Sequence, residues 1–87
     1  NILYIYRDNA TEKTIIVTND NEYPVREPLS TIADKLDNRF YQTHRACYVN
    51  LDKIESVDFK NSIIYLNNDT SLDYLSRNYK KGLREIL

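Results

Sequence analysis

Two groups of side chains in this sequence can bind an anion or the edge of a nucleotide base. The first group consists of Arg39, Gln42, Thr43, His44 and Arg45. The second group consists of four cations with no acid among them: Arg77, Lys80, Lys81 and Arg84. An arginine can form paired hydrogen bonds to the O6 and N7 atoms of guanine or to a phosphate. Arg45 and Arg77 are therefore the leading candidates for such contacts. The alternative for Arg77 is packing against an acid such as Asp73.

His44 and Cys47 are the only histidine and the only cysteine in the chain, and they are the candidates for covalent chemistry. A nucleophile and its base must lie within hydrogen-bonding reach of each other. At a spacing of three in an extended segment, the two side chains point to opposite faces. One His and one Cys also fall short of the three or four ligands of a metal site. We therefore interpret Cys47 as a small buried thiol, and we expect no enzyme activity, metal or cofactor.

The hydrophobic pattern predicts strands in both halves of the chain. Apolar and β-branched runs indicate strands at residues 2–6, 13–18, 22–26, 55–59, 63–66 and 71–74. Polar turns separate these runs, and residues 40–50 are expected to be mostly extended.

Two helices are expected to complete the domain. Pro28 suits the first turn of a helix that ends near residues 37–38, and its apolar face is Leu29, Ile32, Ala33 and Leu36. A short helix over residues 78–87 would place Tyr79, Leu83 and Ile86 along one side. The basic residues of this second helix would lie off that side, near a helix end that favours cations.

The charge of the chain is unevenly distributed. Its formal net charge is −1, which by itself does not favour a nucleic-acid partner. Residues 20–37 and residues 51–73 each carry five acids and two bases, whereas residues 38–50 sum to +2 and residues 74–87 to +3. Because exposed charges more than about 10 Å apart are largely screened, such a protein can still bind DNA on one side. The alternative is that these charges form ordinary solvated faces.

Length and composition set further bounds. Eighty-seven residues make one small domain with little room for a deep enzyme pocket. No apolar run approaches the roughly 20 residues of a membrane span, and no signal peptide is recognisable. A single cysteine cannot form an internal disulfide, so a reducing cytoplasm is the expected location. The chain begins with Asn1 and opens directly into a strand pattern, so we expect it to be part of a longer protein.

The order of several motifs resembles the LytTR DNA-binding domain of bacterial response regulators. The central signature is an aromatic residue, a His-Arg pair, an apolar triplet, an Asn and an Ile-x-x-Val pair: Phe40, His44-Arg45, Cys47-Tyr48-Val49, Asn50, and Ile54 with Val57. Further matches are Ile2-Leu3-Tyr4-Ile5, Leu29-Ser30-x-Ile32 with Leu36, and Ser76-Arg77-Asn78, with Tyr6 in place of the customary Glu. The resemblance covers nearly the whole chain. It implies an α+β fold that is mainly antiparallel β, with one central helix and a short C-terminal helix.

The resemblance also implies which residues contact DNA. Family members insert loop residues, rather than a recognition helix, into successive major grooves. The matching positions here are the loop around residues 10–13, the residue after the signature histidine, and the arginine near the C-terminus. Base contacts are accordingly expected from Arg45, Arg77 and Lys13. Phosphate contacts or support are expected from His44, Arg7, Asn9, Glu12, Asn78, Lys80, Lys81 and Lys60. Glu12 stands where a family member can carry His, and its carboxylate could accept from a cytosine N4.

These observations lead to one main interpretation and one alternative. The main interpretation is that residues 1–87 form the output domain of a longer transcriptional regulator, with the family's first strand missing. Such a domain would bind repeated half-sites on double-stranded DNA as a dimer, with no membrane contact and no small-molecule substrate. The alternative is a β-rich module that binds another protein through an exposed strand edge. Salt dependence separates the two, because DNA binding weakens steeply as salt rises.

Overall fold

The structure is a computed structural model that describes all 87 residues and contains two antiparallel sheets and two helices. The strands are β1 (Ile2–Asp8), β2 (Lys13–Thr18), β3 (Glu22–Val25), β4 (Phe40–His44), β5 (Cys47–Asn50), β6 (Ile54–Asp58), β7 (Ile63–Leu66) and β8 (Ser71–Leu72). The helices are α1 (Leu29–Ala33) and α2 (Arg77–Ile86), and a 3₁₀ turn at Leu51–Lys53 joins β5 to β6. The predicted α+β class, dominated by β structure, is confirmed.

Five strands form the larger sheet in the order β3-β2-β1-β5-β4, and β6, β7 and β8 form the smaller one. Successive side chains of a strand point to opposite faces of its sheet, so the larger sheet buries apolar residues on both sides. On one face, Ile5 packs with Leu29 and Ile32 of α1. A register shift between Ile2 and Tyr4 breaks this alternation, and Leu3 packs on the other face, with its neighbours against the smaller sheet and α2. This main core is Leu3, Ile15, Val17, Cys47, Val49, Ile64, Leu66, Leu72, Leu75 and Leu83.

The central helix α1 is shorter than its apolar periodicity predicts. The α-helix covers only Leu29–Ala33, so the prediction that it ends near residues 37–38 is wrong. After Ala33 the chain tightens, because the N–H of Lys35 donates to Ile32 O (3.0 Å) and that of Leu36 to Ala33 O (3.1 Å). These bonds span three residues rather than four, as in a 3₁₀ turn. They keep Leu36 packed beside α1, which explains why the apolar spacing was correct although the helix ends early.

Residues 40–50 form a hairpin rather than one extended segment. The chain reverses at Arg45–Ala46, and β4 and β5 pair from Phe40 opposite Asn50 to His44 opposite Cys47. The prediction that His44 and Cys47 lie on opposite faces of one strand is therefore wrong, because they face each other across the ladder. The last strand is also shorter than expected and ends at Leu72.

Helix α2 has ten residues, twice as many as α1, and it spans nearly the residues 78–87 expected for the C-terminal helix. It packs against β4 at Gly82, where an added Cβ would overlap Tyr41 Oη and lie 3.1 Å from Tyr41 Cζ. Leu83 of α2 is fully buried, whereas Ile86 on the same side of the helix is half exposed. Neither helix has the length and hydrophobicity needed to cross a membrane.

Candidate nucleic-acid interface

One end of the larger sheet collects the loops that carry three of the predicted site residues, Asn9, Glu12 and Arg45. Neighbouring strands run antiparallel, so the ends of β1, β3 and β4 meet the starts of β2 and β5 there. We call this region the loop end; it comprises the β1–β2 loop (residues 9–12), Arg26 after β3, and the Arg45–Ala46 turn. The N–H of Arg7 donates to Ala46 O at 2.9 Å, which ties the turn to β1.

Asp8 shapes the β1–β2 loop. Its backbone carbonyl accepts from the N–H of Glu12 at 2.7 Å. Its carboxylate accepts from the Ala10 N–H at 3.3 Å and from Thr11 Oγ1 at 2.8 Å. Glu12 closes the loop in the left-handed region with φ 59°, a conformation that costs a non-glycine residue about 1 kcal/mol. These bonds hold Asn9 and Glu12 in fixed, exposed positions at the tip.

His44 supports the neighbouring turn. The N–H of Ala46 donates to His44 Nδ1 at 3.0 Å, so this nitrogen acts as the acceptor that closes the turn. The His44 ring packs edge-on against Tyr74 with 5.3 Å between ring centroids. Its partner across the ladder, Cys47, has no exposed surface, and burial raises the pKa of the Cys47 thiol to about 12. The geometry therefore gives His44 a supporting role and leaves Cys47 as a buried thiol.

The start of α2 lies beside the end of β4. The N–H of Ser76 donates to Thr43 O at 2.9 Å, which places Arg77 next to the His44–Arg45 segment. Arg77 and Asn78 are exposed, and Arg77 forms no ion pair with Asp73 or any other acid. The first turn of α2 contains no acid, and Arg84 is the only basic residue in its last turn. Of the three cations expected near the helix end that favours them, Lys80, Lys81 and Arg84, only Arg84 lies in the last turn.

A cation at a helix N-terminus faces the positive end of the helix dipole, which disfavours it by roughly 0.3–1 kcal/mol. Helix stability thus does not explain the position of Arg77. A negatively charged partner bound at this end of the helix would explain it.

Lys60, Lys80 and Arg84 form a separate group along the flank of α2. Lys60 lies in the β6–β7 loop, which is built like the β1–β2 loop: Asp58 accepts from the Asn61 N–H (3.0 Å) and Nδ2 (2.8 Å), and Ser62 has φ 59°. The hydrogen bonds from Asn61 hold the pKa of Asp58 below its usual value, and nearby Lys80 lowers it further. The guanidinium of Arg84 lies 4.5 Å from the centre of the Phe59 ring. Lys81 is exposed on the same helix.

The residues predicted to contact DNA therefore do not form one cluster. Arg7, Asn9, Glu12 and Arg45 line one open depression. Lys13 lies next to them in sequence, but it alternates with Thr14 and shares its face of β2 with Ile15 and Val17. Its side chain therefore starts from the opposite face of the sheet to that depression.

None of the cations predicted to contact DNA forms an ion pair within the protein. Only two of the 12 lysines and arginines form ion pairs, Lys35 with Glu27 at 3.0 Å and Arg39 with Asp37 at 2.7 Å and Asp52 at 3.8 Å. Arg39 lies at the start of β4, at the opposite end of the larger sheet from Arg45. The free cations are therefore available to an external anion.

Sequence reasoning missed one residue at the loop end. Arg26 follows β3 and lines the same depression as Arg7 and Arg45. It lies in the acidic segment 20–37, where a single arginine has the appearance of a surface charge. Only the pairing of β3 with β2, and of β2 with β1, brings it to this position. No signal in the sequence identifies it.

Comparisons with known proteins agree with the fold. The family model described as the LytTr DNA-binding domain matches residues 1–87. Among solved structures, the chain is similar to the LytTr DNA-binding domain of a Bacillus cereus protein described as a methyl-accepting/DNA response regulator. The two share 17% identity with a TM-score of 0.84, and the match covers 98% of this chain and 79% of the other. A search of curated proteins found no match.

Proposed function

Because the family match over all 87 residues shows that this chain belongs to the LytTR DNA-binding domain family, we propose that it reads specific sequences in double-stranded DNA through its loop end. In this proposal it is the output domain of a bacterial transcriptional response regulator. Residues 1–87 are one domain of that longer protein.

The observation that carries the proposal is the convergence of unpaired arginines from distant parts of the sequence. Arg7, Arg45 and Arg77 come from β1, the β4–β5 turn and the start of α2. Two backbone hydrogen bonds of 2.9 Å hold these segments together. Arginine suits this role because its planar group matches both guanine and phosphate.

We assign roles by position within this surface. Arg45 lies at the tip of a tight turn and Arg77 at the exposed start of a helix, so both can enter a major groove and contact bases. Lys13 would contact a base from the other face of the sheet. The remaining predicted residues would contact phosphates or support the loops: Arg7, Asn9, Glu12, His44, Asn78, Lys60, Lys80 and Lys81.

Binding as two copies on repeated half-sites completes the proposal. A net charge of −1 limits the electrostatic affinity of one copy for DNA. Linking two modest contacts on one duplex raises the overall affinity without any new contact. A regulator can then control occupancy by controlling dimerisation.

The alternative, a module that pairs through a strand edge, finds less support. The outer strand β3 contains Pro24, which lacks a backbone N–H and interrupts any added ladder. At the other edge, Thr43 O of β4 is already bonded to Ser76. Exposed Tyr23 on β3 and Tyr65 on β7 would suit a protein partner.

Amide chemical-shift mapping during titration with a duplex tests the proposal directly. The largest changes are expected in residues 9–12, at Arg45–Ala46 and in the first turn of α2. Changes confined to β3, or to the opposite end around Arg39, would contradict it.

A further inference from the structure

Beside the loop end lies a depression on the face of the larger sheet that carries α1. Three arginines from three separate segments line it: Arg7 of β1, Arg26 after β3, and Arg45 of the β4–β5 turn. We call this the arginine depression. Its other lining residues are Asn9, Glu12, Thr14, Pro28, Leu29, Ser30 and Ala46.

The backbone around Arg26 is held in place. Val25 pairs with Thr14 of β2, and Thr14 Oγ1 donates to Glu27 O at 2.7 Å. Thr14 is almost completely buried, with 2% of its surface exposed, so the hydroxyl that donates this bond is shielded from water. Arg26 thus follows an anchored strand end, while its own side chain is exposed. An exposed cation on a fixed backbone can bind an external anion with less loss of conformational entropy than one on a mobile loop.

A second depression, at the opposite end of the sheet, provides an internal comparison. It also contains three cations, Lys35, Arg39 and Lys53. There, however, the protein supplies partners: Arg39 meets Asp37 and Asp52, and Lys35 meets Glu27. No carboxylate lies within 4.0 Å of a guanidinium nitrogen in the arginine depression. The two sites therefore differ in pairing rather than in the number of cations.

Glu12 is the one acid that lines the arginine depression. Three arginines against one glutamate leave a formal charge of +2. Since Glu12 forms no ion pair, its carboxylate does not occupy the arginines directly. A ligand of the depression must supply negative charge and several acceptor oxygens. Phosphate groups meet both requirements.

We infer that the arginine depression binds the sugar-phosphate backbone of the duplex beside the bases contacted by Arg45, and that Arg26 contacts a phosphate there. This inference rests on the proposed function and extends its footprint onto the α1 face. Arg45 would then mark the boundary between base contacts and backbone contacts. Phosphate contacts fix the orientation of a protein on DNA without carrying sequence information.

The test compares Arg26→Ala with Lys53→Ala in salt titrations of DNA affinity. Both variants lose one positive charge, but Lys53 lies at the opposite end of the sheet and forms no ion pair. Removing one phosphate contact should make the negative slope of log K against log salt shallower by about 0.9. Between 50 and 200 mM salt, the fall in affinity of Arg26→Ala should thus be smaller than that of the wild type by roughly 3.5-fold. Specific and random duplexes should be affected alike, while Lys53→Ala keeps the wild-type slope.

Phosphate ethylation interference locates the contact on the DNA. Arg26→Ala should lose sensitivity at one phosphate per half-site while all other positions remain. Arg26→Lys, which keeps the charge, should recover most of the salt slope. If Arg26→Ala matches Lys53→Ala in slope and interference pattern, the inference is wrong although the proposed function stands. If the wild-type protein shows no salt-dependent DNA binding, the proposed function itself fails and the inference fails with it.

Discussion

The contact between Gly82 and Tyr41 gives a prediction with opposing terms that can be weighed. In an exposed helix interior, Gly→Ala stabilises by about 1 kcal/mol. At position 82, however, a Cβ would overlap Tyr41 Oη, and overpacking of this kind typically costs about 1–3 kcal/mol. We therefore expect Gly82→Ala to be neutral or to lower the free energy of unfolding by up to about 2 kcal/mol, although the helix itself is favoured.

Tyr41→Phe separates the two terms. The Tyr41 hydroxyl forms no side-chain hydrogen bond, so its removal should change stability little, and it removes the atom that an alanine Cβ would overlap. In the Tyr41→Phe background, the loss in free energy of unfolding caused by Gly82→Ala should be smaller than in the wild type by at least about 1 kcal/mol. Urea unfolding of the four proteins, followed by circular dichroism, measures this coupling.

The same cycle connects packing to function. The docking of α2 on β4 sets the position of Arg77, so Gly82→Ala should also weaken binding to a specific duplex, and Tyr41→Phe should restore it. A Gly82→Ala protein that gains about 1 kcal/mol of stability, as a free helix would, refutes the reasoning. So does coupling near zero, because it would mean that Tyr41 does not occupy the space beside Gly82.

Three further predictions concern single side chains. Arg45→Ala or Arg77→Ala should each weaken binding to a specific duplex by about 1–3 kcal/mol in a fluorescence-anisotropy titration, without lowering the melting temperature, whereas Arg39→Ala should leave the affinity unchanged. Lys80→Ala should weaken specific and random duplexes about equally in the same titration, and a loss confined to the specific site would contradict its role at a phosphate. Burial raises the pKa of Cys47 from 9.0 to about 12, so the folded protein retains this proton where the unfolded chain releases it, and stability should fall as the pH rises above 9. The contribution is on the order of 1 kcal/mol per pH unit above pH 9, and urea unfolding of Cys47→Ala should show a correspondingly flatter pH profile.

The sequence predicted those elements whose signals are local. The β-branched run of β2 gave Lys13–Thr18 with the observed bounds, and the apolar run of β7 gave Ile63–Leu66. The β4–β5 turn was missed because Arg45–Ala46 contains none of the Gly, Asn, Asp or Pro residues that normally mark a turn. Its geometry depends instead on His44 Nδ1 and on the bond from Arg7, which are contacts that only the folded chain makes.

Members of the candidate site could be identified from the sequence only where a motif marked them. The His44-Arg45 pair and Ser76-Arg77 were identified from their resemblance to the family, and the fold brings these two segments close together. Arg26 carries no motif, and its position beside Arg7 depends on the order of three strands. The placement of Lys13 on the other face was readable from the alternation of β2, once the face of the depression was known.

The central claim is that this LytTR domain reads DNA sequence through the free cations of its loop end. The most direct test is selection of binding sites from a random duplex library at moderate salt, followed by a salt titration of the enriched site. The account predicts enrichment of a short repeated motif, with an affinity that falls steeply as salt rises. Failure to enrich any motif, together with weak binding that salt does not change, would contradict the claim.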